Sequence, residues 1–186
     1  MNIIDNIKKT ESFWNLPKKT IFHNAINLVI SQKISFEQGR KIRQELYKKI
    51  NSFDLSKELL CKLTNQDFAR IGLEDNKISV INKIIDAEDL SINYLEQLKG
   101  IGPWTIKSLK IMNGEKNLFL EEDYWIRKRL KELFNLDKVP TIKESKKIVE
   151  NINCDKSELT KFLWRIKPNG IVKVKNNEEL VREDFL

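Results

Sequence analysis

Helical periodicity dominates the pattern of hydrophobic and polar positions along the chain. Between Thr20 and Gln32, four apolar residues fall on one stripe of a helix: Phe22, Ile26, Val29 and Ile30. Similar patterns predict further helices near residues 56–63, 65–71, 76–87, 91–98, 103–113, 124–134, 142–152 and 157–166. Strand-like alternation is weak and occurs only at residues 171–174. The pattern therefore predicts an all-α fold with short connections between helices.

Two capping boxes mark helix starts within this pattern. In a capping box, a Ser or Thr and the Glu or Gln three residues later each bind the other's backbone amide. Ser35 with Gln38 predicts a helix that extends to about Ile50, and Thr141 with Glu144 predicts another helix start.

Composition excludes several classes of site. The chain has 186 residues, enough for one domain or two small lobes, and a formal net charge of +7. One histidine and two cysteines exclude a His-rich metal cage, a four-cysteine zinc site and an iron–sulfur cluster. We expect His23 to be a structural histidine and Cys61 to be buried. Neither a membrane-spanning stretch nor a signal-peptide core is evident, so we expect a cytoplasmic (nucleoid) or nuclear protein that is not secreted.

Two glycines flank one apolar residue in the run Gly100-Ile101-Gly102-Pro103, between two predicted helices. Glycine permits positive φ and close approach of the backbone to a ligand. Amides at the start of the second helix are then placed to bind a phosphate, and Lys99 and Lys107 add positive charge. A bare Gly-x-Gly also fits a tight corner with a glycine C-cap. The longer run Leu-Lys-Gly-Ile-Gly-Pro-x-Thr resembles a helix-hairpin-helix over about residues 91–113, a DNA-binding corner that does not read sequence.

An acidic triplet precedes the helix predicted at 124–134. Capping of that helix would explain Glu121, Glu122 or Asp123 equally well, since carboxylates are favoured at a helix N-terminus. Asp123, however, lies 21 positions after Gly102, one helix and one loop away. We expect that separation to let its carboxylate fold back beside a DNA strand that the hairpin holds.

With these two segments the sequence resembles the helix-hairpin-helix DNA glycosylases, and most closely the alkylated-base (3-methyladenine type II) enzymes. The shared runs are Gly-Ile-Gly-x-Trp-Thr and Phe-Leu-x-x-Asp-Tyr-x-Ile-x-x-Arg, and the likeness covers residues 18–168, specifically over 95–130. It implies a compact two-lobed helical fold with the DNA cleft between the lobes, formed by residues 1–186 as a single unit. It also implies a monomer that removes damaged, alkylated purines from double-stranded DNA and has no membrane partner.

The resemblance assigns roles to individual residues. Asp123 is the catalytic carboxylate, which stabilises an oxocarbenium-like sugar, and Trp104 stacks on the extruded base. Tyr124 and Ser108 occupy further positions of the base pocket. Residues expected to contact DNA are Gln32, Lys33, Lys99, Gly100, Gly102, Thr105 and Lys107. Gln32 is the expected filler of the vacated base space, and a local backbone hydrogen bond is an equally good interpretation of it.

Cofactor expectations also follow from the resemblance. A Na⁺ or K⁺ ion would bind backbone carbonyls near Glu96, Leu98 and Ile101, and no other cofactor is expected. Relatives that cut the strand carry a lysine where Trp104 stands, so a monofunctional hydrolase is expected, with Lys107 leaving a lyase as an alternative. A non-catalytic hairpin that only binds DNA is the other alternative.

Several positions depart from the pattern of the alkylated-base enzymes. Glu121 replaces a proline before the aspartate, Ser108 replaces a pocket tyrosine, and no aromatic residue stands at 155–158. These departures leave the preferred lesion open among methyladenine, methylguanine, hypoxanthine and oxidised guanine. Tyr124, Trp125 and Trp164 are expected in the core or the pocket wall.

Overall fold

The computed structural model describes residues 19–165, and all regular structure within them is helical. The ten helices are α1 Ile21–Ser31, α2 Phe36–Ile50, α3 Lys57–Leu60, α4 Asn65–Arg70, α5 Asp75–Asp86, α6 Ile92–Leu95, α7 Pro103–Met112, α8 Tyr124–Phe134, α9 Ile142–Glu150 and α10 Lys156–Arg165. The predicted bounds differ from these by at most three residues, so the all-α prediction is confirmed. The strand predicted at 171–174 lies outside the described residues.

Local hydrogen bonds explain where the helices begin. Both predicted capping boxes are formed, by Ser35 with Gln38 and by Thr141 with Glu144. Thr20 and Ser91 cap α1 and α6 by accepting a backbone amide through their hydroxyl oxygens. Each cap satisfies a first-turn amide that has no acceptor within its own helix.

The chain divides into two compact units, which comprise residues 19–109 and 110–165 of the described chain. In the first unit α1 is the central helix, because it packs against both α2 and α5 and most of its side chains are buried. In the second unit α8 packs against α9 and α10. Its core includes side chains that are at most 2% exposed: Leu120, Ile126, Leu130, Leu159 and Phe162. That residues 1–186 form a single functional unit stays a prediction.

A tight corner joins α6 to α7 in the first unit. Gly100 has φ of +106°, the amide of Ile101 donates to the carbonyl of Leu98 at 2.9 Å, and α7 begins at Pro103 as predicted. A Cβ atom on Gly100 would lie 2.2 Å from Cγ2 of the buried Val80. Glycine is therefore required here both by the backbone conformation and by the close packing on α5.

The histidine prediction is confirmed, and the cysteine prediction is wrong. His23 is 3% exposed, and its Nδ1 accepts the Leu55 amide at 3.1 Å. Burial, with a further contribution from Lys19, lowers the pKa of His23 from 6.5 to about 4, against the opposing effect of Asp54. Cys61 is exposed, because α3 ends at Leu60 and Cys61 lies in the turn that follows.

No helix in residues 19–165 combines the length and apolar character that a bilayer crossing requires.

Substituting Gly100 tests the corner. The Gly100→Ala variant should lose at least about 2 kcal/mol of unfolding free energy, since alanine is strained at positive φ and its Cβ would overlap Val80. Urea unfolding measures this difference. Gly102→Ala is the matched control, because a Cβ there meets no atom within 4 Å and Gly102 is not at positive φ. Equal stability of the two variants would contradict the interpretation.

Acid should destabilise the protein through His23. Between pH 6.5 and 4, His23 binds a proton in the unfolded chain but not in the folded protein. The contribution of the neutral, buried His23 to the free energy of unfolding is therefore fully present above pH 6.5 and falls as the pH drops below that value. We expect a loss of about 2 kcal/mol from pH 7 to pH 5, measured by urea unfolding at each pH. His23→Gln should abolish this difference, because the chain has one histidine. An unchanged pH dependence in that variant would assign the effect to other groups.

Candidate functional site

The hairpin presents an open stretch of backbone at the start of α7. Gly102 has no atom within 4 Å of the position a Cβ would take, whereas Gly100 is packed on Val80. First-turn amides of a helix have no acceptors within the helix, and they carry the positive end of its dipole. Lys99, just before the corner, is exposed. This arrangement suits a phosphate oxygen, which can approach the backbone at Gly102 because no side chain intervenes.

Gln32 ties the turn after α1 to both sides of this hairpin. Its Nε2 donates to the carbonyl oxygen of Gly100 at 3.1 Å and to Oγ1 of Thr105 at 3.0 Å. The structure therefore brings three of the predicted DNA-contact residues together. The amide of Gln32 is engaged with protein atoms in this arrangement, which favours a role in bracing the hairpin. The gap-filling role of Gln32 stays a prediction.

Two buried cations hold the end of α1 from which Gln32 extends. Nζ of Lys77 donates to the Ile30 carbonyl at 2.8 Å, and NH1 of Arg43 donates to Oγ of Ser31 at 2.8 Å. Lys77 and Arg43 are 6% and 7% exposed, and burial lowers the pKa of each. Cations are favoured at the negative end of a helix dipole, so both stabilise this terminus. Sequence analysis missed both residues, because each lies far from residue 31 in the chain.

The remaining predicted DNA contacts differ in exposure. Lys33 is exposed and has φ of +54°, a backbone conformation that residues other than glycine and asparagine rarely adopt. Lys107 is partly exposed. Thr105 is 1% exposed, and its oxygen accepts from Gln32. These DNA contacts stay predictions.

Two predicted pocket positions lie on α7, where Trp104 is partly buried. Ser108 is fully buried, and its hydroxyl donates to the carbonyl of Trp104 at 2.7 Å, one turn earlier in the helix. The hydroxyl proton of Ser108 therefore has its hydrogen-bond acceptor within the same helix. The pocket roles of Trp104 and Ser108 stay predictions.

In the second unit, Asp123 is the N-cap of α8 and is 9% exposed. Its Oδ1 accepts the backbone amides of Trp125 at 2.8 Å and of Ile126 at 3.2 Å. Its Oδ2 accepts a longer hydrogen bond of 3.4 Å from Nε1 of Trp164. The carboxylate is thus held in one orientation at the positive end of a helix and is largely shielded from water. A fixed, desolvated carboxylate can stabilise a positive charge that develops beside it.

One face of α10 positions the segment that leads to Asp123. Oγ of Ser157 accepts the Leu118 amide at 3.0 Å and donates to the Glu115 carbonyl at 2.7 Å. Oγ1 of Thr160 lies 3.4 Å from the Leu120 amide and 3.3 Å from the Leu118 carbonyl. Trp164 follows one turn later on the same face and reaches Asp123. Sequence analysis missed Ser157 and Thr160, although their spacing from Trp164 places all three on one side of a helix.

Glu121, where the resemblance implied a proline, is buried and forms an ion pair with Nζ of Lys146 at 2.9 Å. This hydrogen bond and the negative charge of Glu121 raise the pKa of Lys146. The pair links the turn before Asp123 to α9. Tyr124 and Trp125 are 54% and 46% exposed, so they do not lie in the core, and their alternative place in the pocket wall, with the pocket role of Tyr124, stays a prediction. Both lie in the first turn of α8, whose buried face is formed by Ile126 and Leu130.

Replacing Gln32 tests its role in bracing the hairpin. Gln32→Leu should lower the unfolding free energy of the protein without DNA by about 1 kcal/mol, because the Gly100 carbonyl and Thr105 lose a partner. Urea unfolding measures this effect. Lys33→Leu is the neighbouring control and should retain stability, since Lys33 is exposed. Wild-type stability of Gln32→Leu would argue against the brace.

Solved structures that resemble this one include three glycosylases. A 3-methyladenine DNA glycosylase of S. pombe, in complex with abasic DNA, is 23% identical with a TM-score of 0.69, over 87% of this chain and 90% of that one. A 3-methyladenine DNA glycosylase of Archaeoglobus fulgidus is 22% identical with a TM-score of 0.68, over 77% of this chain and 57% of that one. The DNA-3-methyladenine glycosidase of Bacillus halodurans is 15% identical with a TM-score of 0.60, over 96% and 95%.

The chain thus spans little more than half the length of the Archaeoglobus enzyme, and nearly all of the other two. No protein-family model and no curated protein sequence matches it. The agreement in backbone structure confirms the fold that the hairpin and the aspartate run implied. The chain has the all-helical fold of the 3-methyladenine DNA glycosylases.

Proposed function

We propose that this protein is a monofunctional DNA glycosylase that hydrolyses the N-glycosidic bond of damaged, alkylated purines in double-stranded DNA. The observation that carries the proposal is the clamped, largely buried carboxylate of Asp123 at the start of α8, in a chain with a glycosylase fold. The proposal includes action as a monomer on DNA inside the cell, in the nucleoid or the nucleus.

Binding begins at the hairpin. Backbone amides at the open Gly102 corner donate to a phosphate oxygen, and Lys99 and Lys107 add positive charge that recognises no particular base. The charge of the surrounding sequence supports this role, because residues 99–131 contain eight basic and four acidic residues. Such binding follows the backbone of DNA and weakens as salt concentration rises.

The damaged base must leave the stack before it can be removed, at a cost of a few kcal/mol. Trp104 would stack on the extruded base, and an electron-poor, positively charged alkylpurine gains roughly 0.5–2 kcal/mol from an aromatic face. Similarity to enzymes named for 3-methyladenine supports an alkylated purine as substrate. The S. pombe enzyme is in complex with abasic DNA, which is the chemical product of base removal.

Asp123 would act on the sugar. As the bond between C1′ and the base nitrogen breaks, its electron pair leaves with the base and the sugar becomes oxocarbenium-like. A carboxylate held beside C1′ stabilises that cation and orients the water that adds to it. An alkylated purine carries positive charge before the bond breaks, so its departure needs no strong acid. This agrees with a site that depends on a carboxylate in place of histidine or cysteine.

A Na⁺ or K⁺ ion at the hairpin is a further part of the proposal, held by the carbonyls of Glu96, Leu98 and Ile101. A bound ion would supply positive charge toward a phosphate. The Leu98 carbonyl accepts one hydrogen bond, from Ile101, and a carbonyl oxygen has a second lone pair for an ion.

Asp123→Asn tests the catalytic assignment. The amide oxygen of asparagine preserves the α8 cap, so folding and DNA binding should persist, while loss of the negative charge should slow base release by about 10²–10³-fold. Single-turnover release from methylated duplex DNA measures the rate. The adjacent exposed carboxylate provides the control, because Glu122→Gln should release base at the wild-type rate. A fully active Asp123→Asn protein would refute the assignment.

The products distinguish the proposal from its alternatives. A monofunctional hydrolase leaves an intact abasic strand, and borohydride traps no covalent adduct with it. A trapped adduct that disappears in Lys107→Ala would instead establish a lyase. DNA binding without any abasic product, across all four candidate lesions, would establish a hairpin that only binds DNA.

A further inference from the structure

The first turn of α8 exposes two adjacent aromatic side chains. Tyr124 and Trp125 are 54% and 46% exposed, and their rings lie edge to face with centroids 6.0 Å apart. Exposing a large aromatic side chain to water is unfavourable, and a neighbouring pair of them is typical of an interaction surface. The pair follows directly after Asp123, so a ligand of this surface would lie in the same unit as the proposed catalytic carboxylate.

Each of these rings is accompanied by a cation. Nζ of Lys128 lies 4.9 Å from the centroid of the Trp125 ring, and Cζ of Arg127 lies 5.8 Å from that of Tyr124. These distances are within the range of cation–π interactions. An aromatic face with an adjacent cation matches a nucleotide, whose base stacks and whose phosphate attracts the charge.

The three consecutive basic residues of α8 differ in their partners. Arg129 forms an ion pair with Glu132 at 2.6 Å, and NH1 of Arg127 donates to the Pro140 carbonyl at 2.9 Å. Lys128 forms no ion pair with any residue in the described part of the chain. Its ammonium group therefore lies at the Trp125 ring without a carboxylate to neutralise it, and it can attract a phosphate.

Charge around this surface also favours nucleic acid. Helix α8 contains four basic residues and one acidic residue. The exposed carboxylate of Glu122 precedes the pair and contributes to raising the pKa of Lys146, whose ion-pair partner is Glu121. An acidic partner is therefore favoured over a basic one.

We propose that Trp125 and Lys128 form a second nucleotide-binding site, built from residues other than Trp104 and Ser108, which stacks an unpaired DNA base and binds its phosphate. The base must be unpaired and unstacked, because a base stacked within a duplex has both faces covered by its neighbours. The inference rests on the proposed function only in taking DNA as the ligand. With this site, the protein would bind a lesion that has unpaired bases beside it more tightly than a lesion within intact duplex.

Anisotropy of a fluorescein-labelled oligothymidine, with a fully paired duplex of equal length for comparison, tests this site. Trp125→Ala should weaken binding of the single strand about tenfold, since stacking on an aromatic side chain contributes about 1–3 kcal/mol per base. Its affinity for duplex should stay within about twofold of wild type. Trp125→Phe preserves a ring and should restore most of the single-strand affinity. Lys128→Gln should reduce the salt dependence of single-strand binding by about 0.7 in the log–log slope.

Phe53→Ala is the matched control, because Phe53 is 57% exposed in the other unit and no described cation lies over its ring. It should bind single strands as wild type does. Wild-type single-strand binding by Trp125→Ala, or an equal loss for single strand and duplex, would overturn the proposal. If Trp125→Ala fails to fold, the salt dependence of single-strand binding by Lys128→Gln tests the proposal instead. A slope equal to that of the wild type would overturn the proposal.

These binding measurements use no base release, so the two proposals fail separately. A protein that releases no base but loses single-strand affinity in Trp125→Ala would refute the glycosylase and support the second site.

Discussion

The first amides of helix α8 have no acceptor within the helix, and Asp123 supplies one for two of them. Two backbone amides fix one oxygen of the carboxylate, while the indole of Trp164 lies at the other. The same bonds that start the helix therefore give the largely buried carboxylate a single orientation. For a group that acts by its electric field, this means that little reorganisation is needed when charge develops beside it. Structural and proposed catalytic roles are thus combined in one side chain.

The place of that carboxylate depends on a second helix. Ser157 and Thr160 hold the segment before Asp123 by its backbone amides and carbonyls, and both are almost completely buried. Buried hydroxyls in such bonds fix a loop that has no regular structure of its own. The ion pair of Glu121 with Lys146 adds a link from the same turn to α9. Glu121 therefore keeps this turn attached to the neighbouring helix.

The two hairpin glycines are required for different physical reasons. Gly100 adopts a left-handed conformation and packs on Val80, so any side chain would disturb the folded protein itself. Gly102 has ordinary φ and open space at its Cβ position, so a side chain there would obstruct only an approaching ligand. Gln32 braces both sides of the corner through hydrogen bonds to the Gly100 carbonyl and to Thr105. Gly100 therefore determines the stability of the corner, and Gly102 keeps its backbone accessible to a ligand.

The sequence by itself determined the helices, their caps, the hairpin and the candidate aspartate. These features depend on periodicity and on hydrogen bonds between residues three or four positions apart, such as Ser35 with Gln38. Only the tertiary structure decided which partners the polar side chains take. Gln32 bonds to Thr105, 73 positions away, and Trp164 to Asp123, 41 positions away. It also decided that Trp125 is exposed, because amphipathic patterns do not show which flank of a helix its neighbours leave uncovered.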